Sequence, residues 1–448
     1  MPSGRSRPAH CTIKENNIVD DKIKNVDENA NEIEVKKSSS SNKIKKKRKL
    51  PRGTIKVTRA IVLCLICIVV AVVATILIIF SKFGGKSGFD EAKSYIEVAK
   101  VIKDNYIGDY DSQTVKDSAA SAMVDSLNDK WSYYMTPDEY VAYKLSSANQ
   151  YEGIGISITK DESTGGFVIK KVLDDTPASE AELSEGMIIM KVDDEDITDL
   201  TVDGIRELIE SKVNDKITLT VEDDGDSVDY TLDCSVIYSN PVTSEILTNS
   251  LGYVKIENFN AGSGDATIEA LDDLVVQGVS SIIIDVRDNP GGMLSELIKV
   301  LNYILPKGDI FVSVDNNGKE TVTTSDNVCL KVNMTVLVNE NTYSAAEYFA
   351  ATLKEYDWAS VIGTPTTGKS RSQTTIELSD GSAVHISSKK YLTPKRIDLA
   401  EQGGITPDLV VEAKTDNDGN VEVYTNVTDD PVVQKAIQYL INDDGNDK

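Results

Sequence analysis

A serine and a lysine 25 residues apart are the first residues whose types and spacing could do chemistry. Ser344 follows the apolar run Met334–Val338, and Lys369 lies in a turn rich in threonine and glycine. A serine after a predicted strand and a lysine can serve as nucleophile and general base without histidine. A lysine near its ordinary pKa of about 10.4 is protonated at neutral pH, so this chemistry needs a dry pocket around Lys369. Gln373 is predicted on the same face, where its amide could orient the neutral amine.

Histidine offers little alternative, because the chain contains only His10 and His385. A Ser-His-Asp triad would have to use His385, and a zinc site built on several histidines is excluded. The alternating pattern around His385 favours a partly buried strand residue. Taken singly, Ser344 could be only a helix N-cap and Lys369 only a surface lysine.

Two turns could supply backbone donors to an oxyanion formed at the serine. The segment Asp285–Gly292 follows a predicted buried strand, and Gly291 and Gly292 allow an exposed turn with outward N–H groups. Ala345 would be the second donor, at the start of a helix whose dipole favours negative charge. The alternative for the first segment is a structural turn with an Arg-Asp pair.

Another glycine loop indicates peptide binding rather than catalysis. Gly153, Ile154, Gly155 and Ile156 lead into an alternating strand. Glycines let successive N–H groups converge on a carboxylate, and an extended peptide can then add beside the strand. Alone the loop could be a tight turn, but the order of predicted strands and helices over residues 151–238 resembles a PDZ domain.

The flanking regions have distinct patterns. Residues 90–149 are predicted to be helical, with a capping box at Thr136. Residues 239–415 alternate strands and helices and predict an α/β core, and residues 416–448 end in a helix after Asp430. The main elements predicted for the core are the strands Val279–Asp285 and Met334–Val338 and the helices Leu294–Ile304 and Ser344–Glu355.

The N-terminal region predicts a membrane anchor. Ile61–Phe80 is an apolar run of 20 residues, about the length that crosses a bilayer core. Residues 1–59 form a basic tail that we expect to be disordered and cytoplasmic, and residues 60–81 a transmembrane helix. Residues beyond about 85 are then extracellular.

Charge and cysteine content limit the classes of binding partner and cofactor that the sequence supports. Residues 1–60 hold 16 Lys/Arg and 7 Asp/Glu, whereas the rest of the chain has a net charge of −34. The basic tail suits an anionic bilayer surface, and the acidic remainder argues against nucleic acid. The five cysteines imply no disulfide scaffold, and no metal or cofactor signal is present.

The combined motifs resemble the C-terminal processing peptidases, also called tail-specific or carboxyl-terminal proteases. The resemblance spans roughly residues 90–442 and rests on the glycine loop at 153–155, the segment 285–292, and the segments around Ser344 and Lys369. It implies a mixed α+β and α/β multidomain fold: a PDZ domain inserted into a crotonase-like core. It also implies a Ser344–Lys369 dyad supported by Gln373, with oxyanion donors at Ala345 and at Gly291 or Gly292.

This chain departs from the family pattern around the site. Ala346 replaces a serine, Thr367 a phenylalanine and Ser370 a glycine, and in the PDZ region Glu182 replaces a glycine. We therefore expect a membrane-anchored serine endopeptidase that recognises apolar C-terminal tails of proteins and is gated by its PDZ domain. The alternatives are a catalytically silent PDZ adaptor and an acyl-transfer enzyme on a small metabolite, and homodimerisation through residues 90–149 stays open.

Overall fold

The computed structural model describes residues 57–443 except 83, 213–214, 224, 327, 416–420 and 423. The predicted cytoplasmic tail, residues 1–59, therefore lies almost entirely outside the described residues. The chain divides into two compact units, Met1–Ile107 and Gly108–Lys448.

The first unit contains two helices, α1 (Val57–Lys82) and α2 (Gly85–Asn105). Within the described part of the chain, Arg59–Lys82 is the one helix long and apolar enough to cross a membrane by length and composition. Its position agrees with the predicted anchor. Phe80 and Phe89 stack across the junction of the two helices, with ring centroids 5.0 Å apart.

The second unit begins with α3 (Ser112–Asp125), β1 (Tyr133–Met135) and α4 (Pro137–Ser147). The capping box at the start of α4 is present, because the Thr136 hydroxyl accepts from Glu139 N and the Glu139 carboxylate accepts from Thr136 N. The prediction of an all-helical region missed β1. This three-residue strand forms by pairing with residues 383–385, far along the chain, so no local pattern announces it.

The next region is built around a five-stranded antiparallel path and two helices. The elements are β2 (Gln150–Gly153), β3 (Ile156–Lys160), β4 (Phe167–Val172), α5 (Pro177–Glu180), β5 (Ile188–Val192), β6 (Glu195–Asp196), α6 (Val202–Glu210), β7 (Lys216–Asp223), β8 (Asp226–Asp233) and β9 (Ser235–Tyr238). The strands follow the order β3-β4-β5-β7-β8, with β6 added on β5, while β2 and β9 pair separately where the chain enters and leaves. Helix α6 packs Ile205 and Ile209 into the apolar core.

The remaining elements form an α/β core. They are β10 (Val242–Thr248), β11 (Leu251–Ile256), α7 (Ser263–Val276), β12 (Ser281–Asp285), α8 (Leu294–Ile304), β13 (Asp309–Val314), β14 (Glu320–Thr324), β15 (Asn333–Val338), α9 (Ala345–Glu355), β16 (Ala359–Gly363), β17 (Arg371–Glu377), β18 (Ala383–Leu392), α10 (Leu399–Gln402), β19 (Leu409–Val410) and α11 (Pro431–Asp443). The helix predicted after Asp430 is therefore present as α11.

Two sheets position the candidate site. The first has the order β10-β11-β12-β15-β16-β19 and is parallel from β11 onward. The second has the order β1-β18-β13-β14, with β17 also paired to β18. Strands β12 and β15 lie side by side and are almost wholly buried. Because parallel strands end at one edge of a sheet, the turns after β12 and β15 must meet there.

Candidate active site

Ser344 occupies a strained backbone conformation at the start of α9. Its φ is +59° and its ψ is −125°, a region that residues other than glycine rarely adopt. Although Ser344 stands at the N-cap position, its side chain makes no capping hydrogen bond. Strain of this kind costs on the order of 1–3 kcal/mol and persists only where the surroundings hold it. The hydroxyl is thus left available rather than used to cap the helix.

The turns after β12 and β15 are tied together by polar contacts. The Asp288 carboxylate accepts from the side-chain amides of Asn339 and Asn341, at 2.8 and 2.9 Å. Thr342 Oγ1 donates to Val286 O at 2.8 Å. These bonds supply the surroundings that hold the serine turn in its strained form.

The two predicted glycine donors differ in what their N–H groups do. Gly291 N donates to Asn289 Oδ1 at 2.8 Å, whereas among the described residues Gly292 N has no acceptor. A Cβ on Gly291 would lie 2.7 Å from the Ser344 Cβ and 2.8 Å from Ala345 N. Only glycine allows this approach, which brings the 291–292 turn against the serine and the first N–H of α9.

Asp285 and Arg287 form a structural pair, as the alternative interpretation of their segment proposed. The Arg287 guanidinium donates to Asp285 and, at 2.7 Å, to Asp430 at the start of α11. Tyr253 OH donates to Asp285 at 2.7 Å. The opposed charges raise the pKa of Arg287 despite its burial. These residues anchor the base of the 285–292 turn.

Glu347 joins the serine helix to the lysine turn and was not singled out from the sequence. Its fully buried carboxylate accepts from Gly368 N at 2.7 Å, from Lys369 N at 2.9 Å and from the Thr366 hydroxyl. Burial raises the pKa of Glu347, while these donors act in the opposite direction. The sequence feature that could have indicated Glu347 is its position about one helical turn after Ser344.

Lys369 is buried, with 8% of its surface exposed. Its Nζ lies 4.2 Å from the ring centroid of Trp131 and 5.7 Å from that of Tyr343. Burial lowers the pKa of Lys369 to about 8; the nearby Asp129 carboxylate opposes this shift and Lys130 adds to it. Lys369 is therefore shielded from solvent enough for its pKa to fall well below that of an exposed lysine.

Tyr391 is a second residue that the sequence did not single out. Its hydroxyl donates to the Lys369 carbonyl oxygen. Burial raises the pKa of Tyr391, and a hydrogen bond with Ser344 acts the other way. This one side chain therefore lies against both candidate residues.

The amide of Gln373 is engaged elsewhere than expected. Its Nε2 donates to Ser387 Oγ and to Arg371 O, both at 3.0 Å. Within the described residues no hydrogen bond joins Lys369 Nζ to either Ser344 or Gln373. Direct contact among these three side chains thus requires rotation from the positions they occupy here.

All six predicted catalytic and oxyanion residues line one recess of about 840 Å³, which we call the cleft. The rest of its wall includes seven aromatic side chains, Trp131, Tyr133, Tyr143, Phe311, Tyr343, Tyr348 and Tyr391. His385 also lies there, on β18, stacked on Tyr133 at 4.8 Å and hydrogen-bonded to Thr375 Oγ1 at 2.8 Å. Burial and the charge of Lys369 lower the pKa of His385 to about 4, so this ring is neutral at physiological pH.

The four predicted peptide-binding residues line a separate recess of about 320 Å³, which we call the groove. It lies between β3 and α6, with Val202 and Ile209 on the helix side. Gly155 has a φ of +91°, and a Cβ there would lie 2.3 Å from Thr176. Burial raises the pKa of Glu210 at the rim.

Across the described residues, no group of three or more His, Cys, Asp and Glu side chains is arranged to hold a metal ion.

Comparisons with known proteins agree with this architecture. Two family models match the chain: peptidase family S41 over residues 250–411 and the PDZ domain over residues 144–222. The carboxyl-terminal-processing protease of Synechocystis sp. is 30% identical over 302 residues, covering 66% of this chain and 70% of the relative. The carboxy-terminal processing protease CtpA of Bacillus subtilis is 29% identical over 369 residues, covering 82% and 78%.

A solved structure shares the fold. A crystal structure described as an S41 protease from Bacteroides fragilis matches with a TM-score of 0.50 at 18% identity, covering 72% of this chain and 90% of that one. From these matches, the chain belongs to peptidase family S41 as a carboxyl-terminal processing serine peptidase with a PDZ domain.

Proposed function

We propose that the protein is a membrane-anchored serine endopeptidase in which Ser344 is the nucleophile and Lys369 the general base. The observation that carries the proposal is a strained serine, whose hydroxyl does not cap its helix, sharing a cleft with a buried lysine of pKa about 8. A base near the operating pH is what proton transfer from serine needs. The α/β core that holds both residues is, in this proposal, of the crotonase type.

The reaction follows from these assignments. The neutral Lys369 amine takes the proton of Ser344 as the serine oxygen attacks the scissile carbonyl carbon. The oxyanion accepts hydrogen bonds from Ala345 N and Gly292 N, with Gly291 shaping the turn beside them. The Lys369 ammonium then protonates the leaving amine, and water hydrolyses the acyl-enzyme by the same base. Gln373 orients the amine after turning away from Ser387.

Substrate selection is assigned to the groove. The glycine loop offers backbone N–H groups to a C-terminal carboxylate, and β3 offers an edge to an extended tail. The side chains facing the tail include Ile156, Val202 and Ile209, which favour apolar residues. The substrates are therefore proteins with apolar C-terminal tails.

Tail binding is positioned to influence the cleft. Strand β2, at the groove, follows directly after α4, whose last residues Ser146 and Ser147 line the cleft. Ser147 O accepts from Ala261 N at 3.0 Å, and Ser146 O from Asn260 Nδ2 at 3.0 Å. A tail that shifts β2 would shift these contacts, which gives a route for gating.

The test of the chemistry compares full-length variants on an unstructured polypeptide with an apolar C-terminal tail. Ser344→Ala and Lys369→Ala each abolish cleavage while the thermal unfolding profile stays close to that of the unmodified chain. Ser372→Ala, in the same cleft, is the control and keeps activity. Cleavage by the Ser344→Ala chain would overturn the assignment, and tail binding without any Ser344-dependent turnover would indicate a silent adaptor.

The gating role is tested by removing residues 152–238. Because Gln150 and Tyr238 are paired across β2 and β9, a short glycine linker can join the chain ends. The shortened chain should cleave tailed and tail-blocked polypeptides equally. Full retention of tail preference would contradict a role for the groove.

Membrane anchoring is assigned to α1, with the basic residues before it in the cytoplasm. Its support is the length and composition of Arg59–Lys82. Added protease on intact cells should digest the part beyond residue 85, and residues before 57 should be protected. Recovery of the whole chain in the soluble fraction would contradict the assignment.

A further inference from the structure

Trp131 contacts Lys369 and the residue next to Ser344. Its ring centroid lies 4.2 Å from Lys369 Nζ and 5.4 Å from the ring centroid of Tyr343, the residue before Ser344. Lys130 Nζ also lies over the indole, at 4.4 Å. A cation this close to an indole face is attracted by the electron density of the ring.

The turn that carries Trp131 is held by its own hydrogen bonds. The Asp129 carboxylate accepts from Trp131 N at 3.3 Å and from Ser132 Oγ at 2.6 Å. Ser132 Oγ in turn accepts from Ser387 N at 3.0 Å, which ties the turn to β18. The backbone that carries the indole is therefore tied to β18 beside the cleft.

We propose that Trp131 is a positioning residue for the reaction: its indole binds the ammonium of Lys369, holds it beside the serine turn, and releases the amine once the proton is lost. This inference rests on the proposed role of Lys369. The physical reason is that the ring attracts the cation but not the neutral amine. Loss of the proton thus frees the side chain to turn toward Ser344, with which it shares no hydrogen bond in the described structure.

Several charged or titratable groups face Lys369 and enter the pH dependence. Asp129 raises the pKa of the lysine and Lys130 lowers it, while burial is the largest effect and lowers it to about 8. His385 from β18 is neutral above pH about 4 and adds no charge in the working range. Tyr343 and Tyr391 stay protonated there, because burial raises the pKa of both.

The first experiment measures kcat/KM against pH for full-length Trp131 variants on the tailed polypeptide. Trp131→Leu still excludes water but removes the ring that stabilises the ammonium of Lys369. The acidic limb of the kcat/KM profile should therefore move to lower pH by about 0.5–1 unit. Trp131→Ala admits water, which stabilises the ammonium, so the limb should move to higher pH. Trp131→Phe keeps a ring face and should stay nearest the unmodified profile.

The control is Trp358→Leu, which removes the chain's only other tryptophan, outside the cleft. It should leave the limb in place. A purely structural role for Trp131 would lower activity at every pH without moving the limb, and that result would overturn the inference.

A second measurement does not depend on turnover. In a Trp358→Phe chain, Trp131 is the only tryptophan, so its emission reports its surroundings. Between pH 6 and 9 the emission should change with a midpoint near 8, and Lys369→Met should remove that change. A flat profile, or one that persists in Lys369→Met, would overturn the inference.

The proposed lysine base and the proposed role of Trp131 can be contradicted separately. If the Lys369→Ala chain still cleaved the substrate, Lys369 would not be the general base. The emission titration of the Trp358→Phe chain would still report the contact between Trp131 and Lys369. If Lys369→Ala lost cleavage but the acidic limb of the pH profile stayed in place in the Trp131 variants, only the proposed role of Trp131 would be contradicted.

Discussion

The cleft and the groove both depend on glycine turns, but they use them for opposite purposes. In the cleft, Gly291 brings one backbone turn against another, and the buried charges of Glu347 and Lys369 lie behind it. In the groove, Gly155 opens a loop between apolar walls, and the charged residues Glu152 and Arg206 are not buried. A catalytic recess needs groups with shifted pKa values, which burial provides at a cost in stability. A recognition recess needs only free backbone donors and a matching surface.

The difference also appears in how each recess is held. The serine turn is strained, and Asp288, Asn339 and Thr342 fix it through bonds between segments about 50 residues apart. The glycine loop is held by bonds between segments about 20 residues apart, such as Ala178 N to Ile154 O at 2.9 Å. Substitutions in the cleft should therefore lower the rate of cleavage, whereas substitutions in the groove should change which C-terminal tails are bound.

Outside the proposed dyad, the largest effect is expected from Glu347→Gln. The new amide places N–H donors against the N–H groups of Gly368 and Lys369, so the lysine turn moves. Cleavage should fall about 100-fold and stability by about 1–3 kcal/mol. The measurements are kcat/KM and chemical denaturation.

Glu355→Gln is the matched control at the other end of α9. Glu355 also accepts hydrogen bonds, from Thr393 and, at 2.8 Å, from Lys395 N, but it lies outside the cleft. It should lose stability without losing activity. Equal loss of activity in the two variants would mean that Glu347 acts only through global stability.

The pH dependence separates the lysine from the histidine in the same cleft. Activity should rise about tenfold per pH unit below about 8 and level off above, because Lys369 must lose its proton. His385→Asn should leave that limb unmoved, since the pKa of His385 is already lowered to about 4. An activity profile that follows a group near 6.5 would point to histidine instead.

The same lysine predicts a stability trend. Its folded pKa is below its unfolded value near 10.5, so between about pH 8 and 10.5 the unfolded chain binds the extra proton. The destabilisation is therefore full below pH 8 and is lost as pH rises through that window. Chemical denaturation of Lys369→Met against the unmodified chain should show the difference shrinking over this range.

A smaller effect is expected in the groove from Gly155→Ala. The added Cβ would meet Thr176 at 2.3 Å, so the loop must shift, at a cost of about 1–3 kcal/mol to the local fold. Binding of a tail peptide should weaken, while cleavage of tail-blocked polypeptide stays. Gly186→Ala is the control, with a similar φ of +93° and open space around it, and should leave tail binding intact.

The smallest effect concerns Glu182, at the position where the resemblance leads us to expect a glycine. It has a φ of +62°, a left-handed conformation that costs a residue with a Cβ. Glu182→Gly should raise stability by about 0.5–1 kcal/mol without changing activity. Glu180→Gly, in the helix α5, should instead lower stability by a similar amount, and thermal unfolding of both chains checks the pair.

Much of the fold was predictable because its signals are local. The helix Leu294–Ile304 was predicted with the bounds it has, and the capping box at Thr136 starts α4 as expected. Periodicity and capping are properties of neighbouring residues, so a single sequence contains them. Strand β1 escaped prediction because its pairing with residues 383–385 is its only support.

In the candidate site, too, some features follow from local sequence and others only from tertiary packing. The sequence by itself determined which residues could react, since Ser344, Lys369 and the two glycine turns stand at element boundaries that follow from local patterns. Only the tertiary structure decided that Trp131, Glu347 and Tyr391 surround them, and that the Gln373 amide bonds to Ser387. Burial, strain and contacts between distant segments arise when the sheets pack, and they set the pKa of Lys369 and the exposure of the Ser344 hydroxyl.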